Sequence, residues 1–544
     1  MTAPNVRRFP AALAAAALAI VLIPVAAGAA PPALPTADPF YRYTGATPLA
    51  AIKAGTVLKT RSITVSLAGN TTPLPAEQLL YRTAGETGTP TVTVTTLITS
   101  ASAPVVPKIV SYQSFYDALG AQCDPSYTLT GGDPGQANRQ NAYIEQGLIS
   151  QFVSAGYTVN VPDFEGEDLH WSAGHESAYG TLDSLRAVEA HLGAPASTPV
   201  GLFGYSGGSI ASEWASEMAP TYAPELNIVG VAEGGIPVDF AHNLTYISGS
   251  PSWSAIMPGI LLALSRAYGF DLTPYLSPYG VKLVDQARGQ CINTLGPYPG
   301  LTYQKLLKPQ YQNPFLIPDF VRVINNLTMG TAPGHPGEPL LMGVGNSDGT
   351  GDGVMIAKDV EALAHEYCTE GVPLELHEFN NLAHTQAAAP WDALAIPFLE
   401  DRLNGVPFVD QCGSVPVGNS LALLPMPKAP ARTVVGLRIT NGHGGHRGMV
   451  EVPAGGRVDI RVQLRLAKGA RSGVSLAGRT VRVGALKLVT GAGGVATGHL
   501  RIGGGAPRVL RAVFAGNPSL APSASHPLTA YVACAPRDGT ACAA

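Results

Sequence analysis

A serine between small residues forms a pattern that could support acyl transfer. Residues 204–208 read Gly-Tyr-Ser-Gly-Gly, with Ser206 at the centre of a GxSxG motif. The residues before it (200–203) have the composition of a buried strand, and those after it (209–218) have the pattern of a helix. A sharp turn between strand and helix exposes such a serine above a sheet. The motif alone is weak in a chain with 62 glycines, so this context is what predicts a nucleophile.

A serine hydroxyl becomes a good nucleophile only when a base takes its proton and an acid holds that base. In chains with this kind of turn, the acid and then the histidine follow the serine. His384 lies in a short loop after the predicted strand 374–379 and is the best candidate for the base. His365 and His377 fall inside a predicted helix and a predicted strand, so we interpret them as structural.

The loop after the predicted strand 340–345 contains two candidates for the acid. Asp348 is closer to the end of the strand, whereas Asp352 is closer to the helix predicted from residue 354. Spacing alone leaves both open. The backbone N–H of Gly207, the residue after the nucleophile, is expected to donate to the oxyanion that forms during acyl transfer.

Short apolar runs alternate with amphipathic stretches from about residue 91 to residue 404. Strands that alternate with helices predict an α/β fold with a doubly wound, mostly parallel sheet. The interval 239–337 breaks this rhythm and contains an apolar run at 260–264, which indicates a large cap or lid insertion. The predicted strands are 105–112, 157–162, 200–203, 228–232, 340–345 and 374–379, and the predicted helices are 142–155, 177–192, 209–218, 354–367 and 391–403.

The composition changes after residue 424. Residues 457–464 alternate polar with apolar side chains, and glycine clusters separate such runs, which predicts an all-β sandwich over residues 425–544. From Lys428 onwards there are 16 Lys or Arg and 3 acidic residues, against 18 basic and 35 acidic residues before it. Such a basic domain could bind an anionic cell-wall polymer or membrane. Alternatively, its strands distribute the charge around the domain, and the charge serves only solubility.

The N-terminus has the pattern of an export signal. Arg7 and Arg8 precede an apolar, alanine-rich stretch, and the small residues at 27–29 could form a cleavage site. We therefore predict a signal peptide at 1–30, a catalytic domain at 31–424 and a secreted, extracellular protein. The six cysteines, none of them in a CxxC pair, are typical of exported proteins with disulfides.

Composition excludes several other classes of function. Charged residues make up 13% of the chain and hydrophobic residues 46%, so the chain can build a sizeable core. A net charge of -4 argues against a general nucleic-acid binder. No dinucleotide, phosphate-loop or zinc-protease motif is present, so no cofactor or metal is expected. His443 and His446 could bind a metal, but in a glycine-rich turn they are more often simply exposed. Cys534 and Cys542 both lie near the C-terminus, which favours a local disulfide loop between them.

Several segments resemble the secretory lipases related to lipase A of Candida antarctica. Together they are far more specific than GxSxG, and they extend through residues 91–412. At the other end of the chain, residues 513–523 resemble the closing strand and loop of bacterial immunoglobulin-like modules. The lipase-like segments are 111–114 (Ser-Tyr-Gln-Ser), 123–127 (Cys-Asp-Pro-Ser-Tyr), 163–166 (Asp-Phe-Glu-Gly), 204–208, 222–230 (Tyr-Ala-Pro-Glu-Leu-Asn-Ile-Val-Gly) and 234–238 (Gly-Gly-Ile-Pro-Val).

This resemblance implies an α/β-hydrolase in which Ser206 is the nucleophile and His384 the base, with a helical lid after residue 239. It favours Asp352 over Asp348, since the family's acid lies at the start of the helix that leads to a cysteine. The chain departs from the family directly after this acid, where Gly-Val-Met replaces a common Val-Pro pair.

The resemblance has two further implications. Asp163 matches the family position for the second oxyanion donor, besides Gly207. Two disulfides are also implied, Cys123 with Cys291 and Cys368 with Cys412.

The combined features predict a secreted serine ester hydrolase, in particular a lipase that acts on acylglycerols or other long-chain esters at a lipid–water interface. One alternative is a secreted serine aminopeptidase of the same fold, which would need acidic residues such as Glu165, Glu167 and Asp168 to hold a free amine. The other alternative is a surface-binding protein whose basic C-terminal domain determines its role.

Overall fold

The computed structural model describes residues 32–65, 67, 73–132, 136–428, 430–444, 449–503 and 506–532. The predicted signal peptide, His446, Cys534 and Cys542 therefore lie outside the described residues. Within these ranges, no helix combines the length and apolar character that crossing a bilayer requires.

Nine strands form one mixed sheet. The spatial order is β1-β2-β3-β5-β4-β6-β7-β8-β9, in which β4 to β9 are parallel, and β1, β2 and β3 add an antiparallel edge beside β5. Every residue of β4 and β5 is buried, as expected for parallel strands covered on both faces. The strands are β1 (Val57–Val65), β2 (Leu74–Ala84), β3 (Pro90–Ile98), β4 (Ile109–Gln113), β5 (Thr158–Pro162), β6 (Pro199–Tyr205), β7 (Asn227–Gly234), β8 (Leu340–Asn346) and β9 (Leu374–Asn380).

Helices cover both faces of this sheet, which confirms the predicted doubly wound α/β fold. The helices between strands are α1 (Pro125–Thr128), α2 (Gln136–Ser154), α3 (Gly174–Leu192), α4 (Gly207–Tyr222), α10 (Ala357–Glu370) and α11 (His384–Leu403). Helices α3, α4 and α10 contribute to one apolar core, which includes Trp214, and α2 and α11 contribute to a second, which includes Trp391. Both tryptophans are fully buried.

Five helices occupy the long connection between β7 and β8. They are α5 (Phe240–Ile247), α6 (Met257–Ala267), α7 (Pro278–Ala287), α8 (Tyr303–Leu306) and α9 (Pro318–Asn326). The Asp239 side chain caps α5 by accepting from two backbone N–H groups, and a proline near the first position starts α6, α7 and α9. The insertion is therefore a helical layer with its own start signals.

Two disulfides connect distant parts of the chain, and they are the two pairs that the family resemblance implied. Cys123, after β4, pairs with Cys291 in the insertion. Cys368, in α10, pairs with Cys412, beyond α11.

Some predicted boundaries were wrong. The strand predicted from residue 105 begins at Ile109, because Val105 is fully exposed. Helix α11 begins at His384 rather than at residue 391 and continues through Pro390. The Gln386 side chain accepts from the N–H of Ala383 at 2.9 Å, which supplies an N-terminal cap ahead of that proline.

The described residues from 430 onwards form strands and no helix. Its strands form three small sheets, ordered β10-β13-β16, β11-β12-β20-β17 and β15-β14-β18-β19. Side chains from all three sheets share one apolar core that is separate from the cores of the α/β region. The strands are β10 (Thr433–Ile439), β11 (His443–Gly444), β12 (Val450–Val452), β13 (Arg457–Leu466), β14 (Thr480–Val483), β15 (Leu486–Val489), β16 (Val495–Arg501), β17 (Arg508–Leu510), β18 (Ala512–Phe514), β19 (Ser523–Ala524) and β20 (Leu528–Val532).

The separate C-terminal core supports a boundary near residue 425. That boundary, the 31–424 and 425–544 domains and the immunoglobulin-like assignment stay predictions.

Candidate active site

Ser206 occupies the turn between β6 and α4. Its φ of 56° and ψ of -122° form a conformation that residues with a side chain rarely adopt. The Ser206 N–H donates to the carbonyl of Gly234 at 2.8 Å, which holds the turn against β7. A Cβ on Gly204 would collide with the backbone of Gly208, and one on Gly208 would collide with the carbonyl of Gln113. The turn therefore needs glycine at both positions.

The imidazole of His384 lies between Ser206 and Asp352. Nε2 of His384 is 2.7 Å from Oγ of Ser206, and Nδ1 is 2.7 Å from Oδ2 of Asp352. Because a carboxylate only accepts hydrogen bonds, we assign the proton to Nδ1, which leaves Nε2 free to accept the Ser206 proton. The carbonyl of His384 also accepts from the Tyr205 hydroxyl at 2.6 Å.

Backbone groups hold the carboxylate of Asp352 in place. Oδ1 accepts from the N–H groups of Val354 and Met355, at 3.0 and 2.7 Å. The Asp352 carbonyl accepts from the N–H of His384 at 2.9 Å. With Oδ1 occupied in this way, Oδ2 is the oxygen that contacts the imidazole.

Asp348, the other candidate acid, has a different set of partners in the same loop. Its Oδ1 accepts from the N–H groups of Thr350 and Gly351, at 2.8 and 3.0 Å, and its Oδ2 accepts from the Tyr246 hydroxyl at 2.9 Å. Asp348 therefore closes the turn of the loop, and the structure brings Asp352 to His384.

The oxyanion role predicted for Asp163 is wrong. Its backbone N–H donates to the carbonyl of Val94 at 2.9 Å, within the sheet, and is not available to a substrate. Its carboxylate accepts from the backbone N–H and the hydroxyl of Ser126, so it positions the short helix α1. The error came from the strand order: Asp163 follows β5, whereas β4 is the strand beside β6.

The residue that the sequence reasoning missed is Asp117, which follows β4. A Cβ on Gly207 would collide with Oδ1 of Asp117, so this carboxyl lies directly against the residue after the serine. Asp117 has a φ of 41°, and its carbonyl accepts from the N–H of Ile292 at 3.1 Å. A usable signal was its place in the loop after the strand next to β6, where the second oxyanion donor of such sheets lies.

Asp117 is 5% exposed, and its Oδ1 has no hydrogen-bond partner among the residues that the structure describes. Burial raises the pKa of Asp117 to about 8, an effect that Glu145 reinforces and a hydrogen bond from Trp171 opposes. A carboxyl with this pKa is protonated at neutral pH. It can therefore donate an O–H to a negatively charged oxygen.

Ser206, Gly207, His384 and Asp117 line one cavity. The rest of its wall is mostly apolar and comes largely from the helices of the insertion. Trp253, in the insertion, meets the His384 ring edge-on at 5.2 Å between centroids. The wall residues from the insertion include Phe240, Leu244, Ile247, Ile256, Met257, Ile260, Leu261, Leu264, Phe270, Phe320, Val323 and Ile324.

The acidic residues considered as an amine site lie elsewhere. Glu165 is buried, and its carboxylate accepts from the N–H of Ala118 at 2.9 Å. Glu167 and Asp168 are exposed, and none of the three is among the residues that line the cavity. The cavity therefore suits an uncharged, apolar ligand better than a free amine.

The chain is similar in sequence to known lipases. A model of the secretory lipase family matches residues 134–411. A probable inactive lipase of Mycobacterium tuberculosis is 30% identical over 393 residues, which cover 70% of this chain and 84% of that protein. The secreted triacylglycerol lipase LIP4 of Malassezia globosa is 30% identical over 374 residues, which cover 65% of this chain and 78% of that protein.

The fold is also similar to that of a lipase of known structure. The X-ray structure of Candida antarctica lipase A in its closed state matches with a TM-score of 0.65 at 26% identity, and the match covers 72% of this chain and 91% of that chain. The range matched by the family model includes Ser206, Asp352 and His384.

Proposed function

Because the chain belongs to the secretory lipase family and is a carboxylic ester hydrolase, we propose that it cleaves long-chain esters through an acyl-enzyme formed on Ser206. The observation that carries this proposal is the continuous hydrogen bonding from Ser206 through His384 to Asp352 at the wall of an apolar cavity. This arrangement has the geometry that a serine nucleophile requires.

The proposed reaction has two halves. Oγ of Ser206 attacks the ester carbonyl carbon while Nε2 of His384 takes the hydroxyl proton, and the oxyanion then collapses as that proton passes to the leaving alcohol. Water attacks the resulting acyl-enzyme by the same route, which releases the fatty acid and restores the serine. Asp352 keeps the imidazole in the tautomer that both halves need.

Two groups would stabilise the oxyanion. The N–H of Gly207 is at the start of α4, where helix N–H groups lack intrahelical acceptors and the helix dipole favours negative charge. Asp117 lies beside it and would contribute the O–H of its protonated carboxyl. This pair replaces the Gly207 and Asp163 pair predicted from the sequence.

Replacing Asp117 by alanine is expected to lower kcat by about 10²-fold to 10³-fold, the usual effect of losing one oxyanion donor. In the wild type, activity should also fall as the pH rises through about 8, because the carboxyl loses its proton there. Asp117→Asn should largely remove this alkaline fall, since its amide donates at every pH. Rates for a soluble ester measured from pH 6 to 10 test both statements, and an identical alkaline fall in wild type and Asn variant would contradict the donor role.

The lipid preference rests on the cavity wall. Apolar side chains from α5, α6 and α9 cover the site, and exposing them at a lipid surface would cost less free energy than exposing them to water. We propose that the insertion acts as a lid over an acyl-chain site. We also propose an extracellular site of action, with residues 1–30 removed as a signal peptide, since the family is a secretory one.

The Mycobacterium tuberculosis relative is named a probable inactive lipase, so activity needs its own support here. That support is the contact of Ser206 with His384 and of His384 with Asp352, which leaves none of the three side chains displaced from its partner.

A labelling and substrate experiment tests the proposal. A fluorophosphonate should label Ser206 covalently in the folded wild type. In the same preparation, hydrolysis of a long-chain acylglycerol should rise sharply once the substrate exceeds its solubility and forms droplets. Absence of labelling would contradict the proposed acyl-enzyme. Labelling without a preference for droplets would contradict only the proposed role of the insertion as a lid.

A further inference from the structure

The C-terminal sheet β10-β13-β16 has a strongly basic outer face. Successive residues of a strand point to opposite sides, and along β13 the inner positions are apolar and buried. The outer positions of the same strand include Arg457, Arg461 and Arg465, all exposed. Their spacing of four residues keeps them on one face, about 13 Å apart along the strand.

The two neighbouring strands add arginines to this face. Arg438 of β10 lies directly opposite Arg461, and Arg501 of β16 lies directly opposite Arg457. We call Arg438, Arg457, Arg461, Arg465 and Arg501 the arginine face. The strands therefore place five of the 16 basic residues that follow residue 427 on one face of this sheet.

This arrangement is unfavourable for the isolated domain. Like charges directly opposite each other on antiparallel strands destabilise the pair. Arg457 is compensated by Asp459, whose Oδ1 lies 2.8 Å from its Nε. Arg438, Arg461, Arg465 and Arg501 form no ion pair with any residue that the structure describes. Because these charges do not stabilise the domain itself, an external anionic partner explains them more simply.

We propose that the arginine face binds an anionic phospholipid surface and holds the enzyme at the interface where its ester substrate lies. This step rests on the proposed function, which locates the reaction at a lipid surface. The guanidinium group matches phosphate oxygens through paired N–H donors. A broad, uncompensated positive sheet face is complementary to a plane of phosphate headgroups.

A nucleic acid is the less suitable partner. Sites for single strands place aromatic side chains among the basic ones so that bases can stack. The other outward positions of these three strands carry Val434, Gly436, Asp459, Gln463, Val495, Thr497 and His499. His499 has the one aromatic ring among them, and none is Phe, Tyr or Trp. The face therefore provides charge with little stacking surface, which fits a headgroup layer.

Vesicle binding by the full-length secreted protein tests this inference. Sedimentation with vesicles of phosphatidylglycerol should retain the protein at low salt, and retention should weaken as salt increases. Vesicles of phosphatidylcholine should retain little. One arginine near an anionic bilayer changes affinity by about fivefold. The triple variant Arg438→Gln, Arg461→Gln, Arg501→Gln should therefore bind on the order of 100-fold more weakly.

A matched control removes three positive charges from other sheets of the same domain, through Arg482→Gln, Lys487→Gln and Arg508→Gln, all exposed. Its vesicle affinity should stay within about threefold of the wild type. Both variants should hydrolyse a short soluble ester at the wild-type rate, so a failure of the proposed chemistry would be recognised separately.

Four results would overturn the inference. The first two are equal losses of affinity in the two variants and equal retention by the two kinds of vesicle. The third is face-dependent binding of poly(glycerol phosphate) or DNA without binding of vesicles, which would assign the face to a soluble or cell-wall polyanion. The fourth is a shift from monomer to dimer that depends on the face, which would assign it to a second copy of the chain.

Discussion

Replacement of Ser206 by alanine is expected to lower kcat for a soluble ester by about a millionfold, the loss seen when the nucleophile of a serine triad is removed. The methyl group cannot form an acyl bond, and the proton acceptor on His384 then has no hydroxyl to activate. Folding should be unaffected because the backbone of the turn is held by the Ser206 N–H, which alanine retains. Initial rates of hydrolysis check the expected loss of activity, and the thermal midpoint of unfolding checks that the fold is retained.

Ser216→Ala is a suitable control for this variant. Ser216 lies on the same helix, α4, but its hydroxyl donates to Glu338 at 2.9 Å. Its removal should leave kcat within about threefold and cost about 1 kcal/mol of unfolding free energy. If Ser206→Ala kept a rate similar to that of the control, hydrolysis would have to proceed without an acyl-enzyme on this residue.

Replacement of Asp352 by asparagine is expected to lower kcat about 10⁴-fold. Oδ1 of Asp352 accepts two backbone N–H groups, so the asparagine oxygen will take that position and its NH₂ will face Nδ1 of His384. A donor facing Nδ1 stabilises the tautomer with the proton on Nε2. That nitrogen then cannot accept the proton of Ser206.

Asp348→Asn provides the matched comparison in the same loop. Asp348 accepts from the N–H groups of Thr350 and Gly351, a role that an amide oxygen can keep. We expect kcat within about threefold of the wild type and a small change in thermal stability. Steady-state rates of the two variants side by side distinguish the acids: a larger loss at Asp348 would reverse the assignment.

Ser206 could be singled out from the sequence because its signal is local. GxSxG between a strand and a helix requires only neighbouring residues, and the close approach of Gly204 and Gly208 to other backbone groups explains the two glycines. His384 was predictable from topology, since it follows the last strand of a parallel series. Spacing could not choose between Asp348 and Asp352, because the choice depends on which carboxylate the loop turns towards His384.

Asp117 was missed for a different reason. It lies only three residues after the lipase-like segment 111–114, yet the role proposed for it depends on β4 being the neighbour of β6 in the sheet. Strand order in a doubly wound sheet differs from chain order, and the sequence reasoning took the later strand, β5. The antiparallel strands β1, β2 and β3 were missed as well, since all three precede the first predicted strand, 105–112.

For the basic C-terminal domain, the number of Lys and Arg residues alone did not predict where they lie. It left open whether the charges are clustered on one face or distributed over the domain. The four-residue spacing of Arg457, Arg461 and Arg465 already contained part of the answer, because even spacings on a strand share a face. The contribution of Arg438 and Arg501 depends on pairing register, which the strand patterns alone do not specify.

The disulfide between Cys123 and Cys291 has a consequence for the compartment in which the enzyme can be active. Besides this disulfide, Cys291 forms an isolated antiparallel β-bridge with Ala118. The N–H of the next residue, Ile292, donates to the carbonyl of Asp117. This single covalent bond therefore restrains both the helical insertion and the loop beside Ser206. A chain that folds in a reducing cytosol lacks this bond, so we expect it to remain a poor catalyst there.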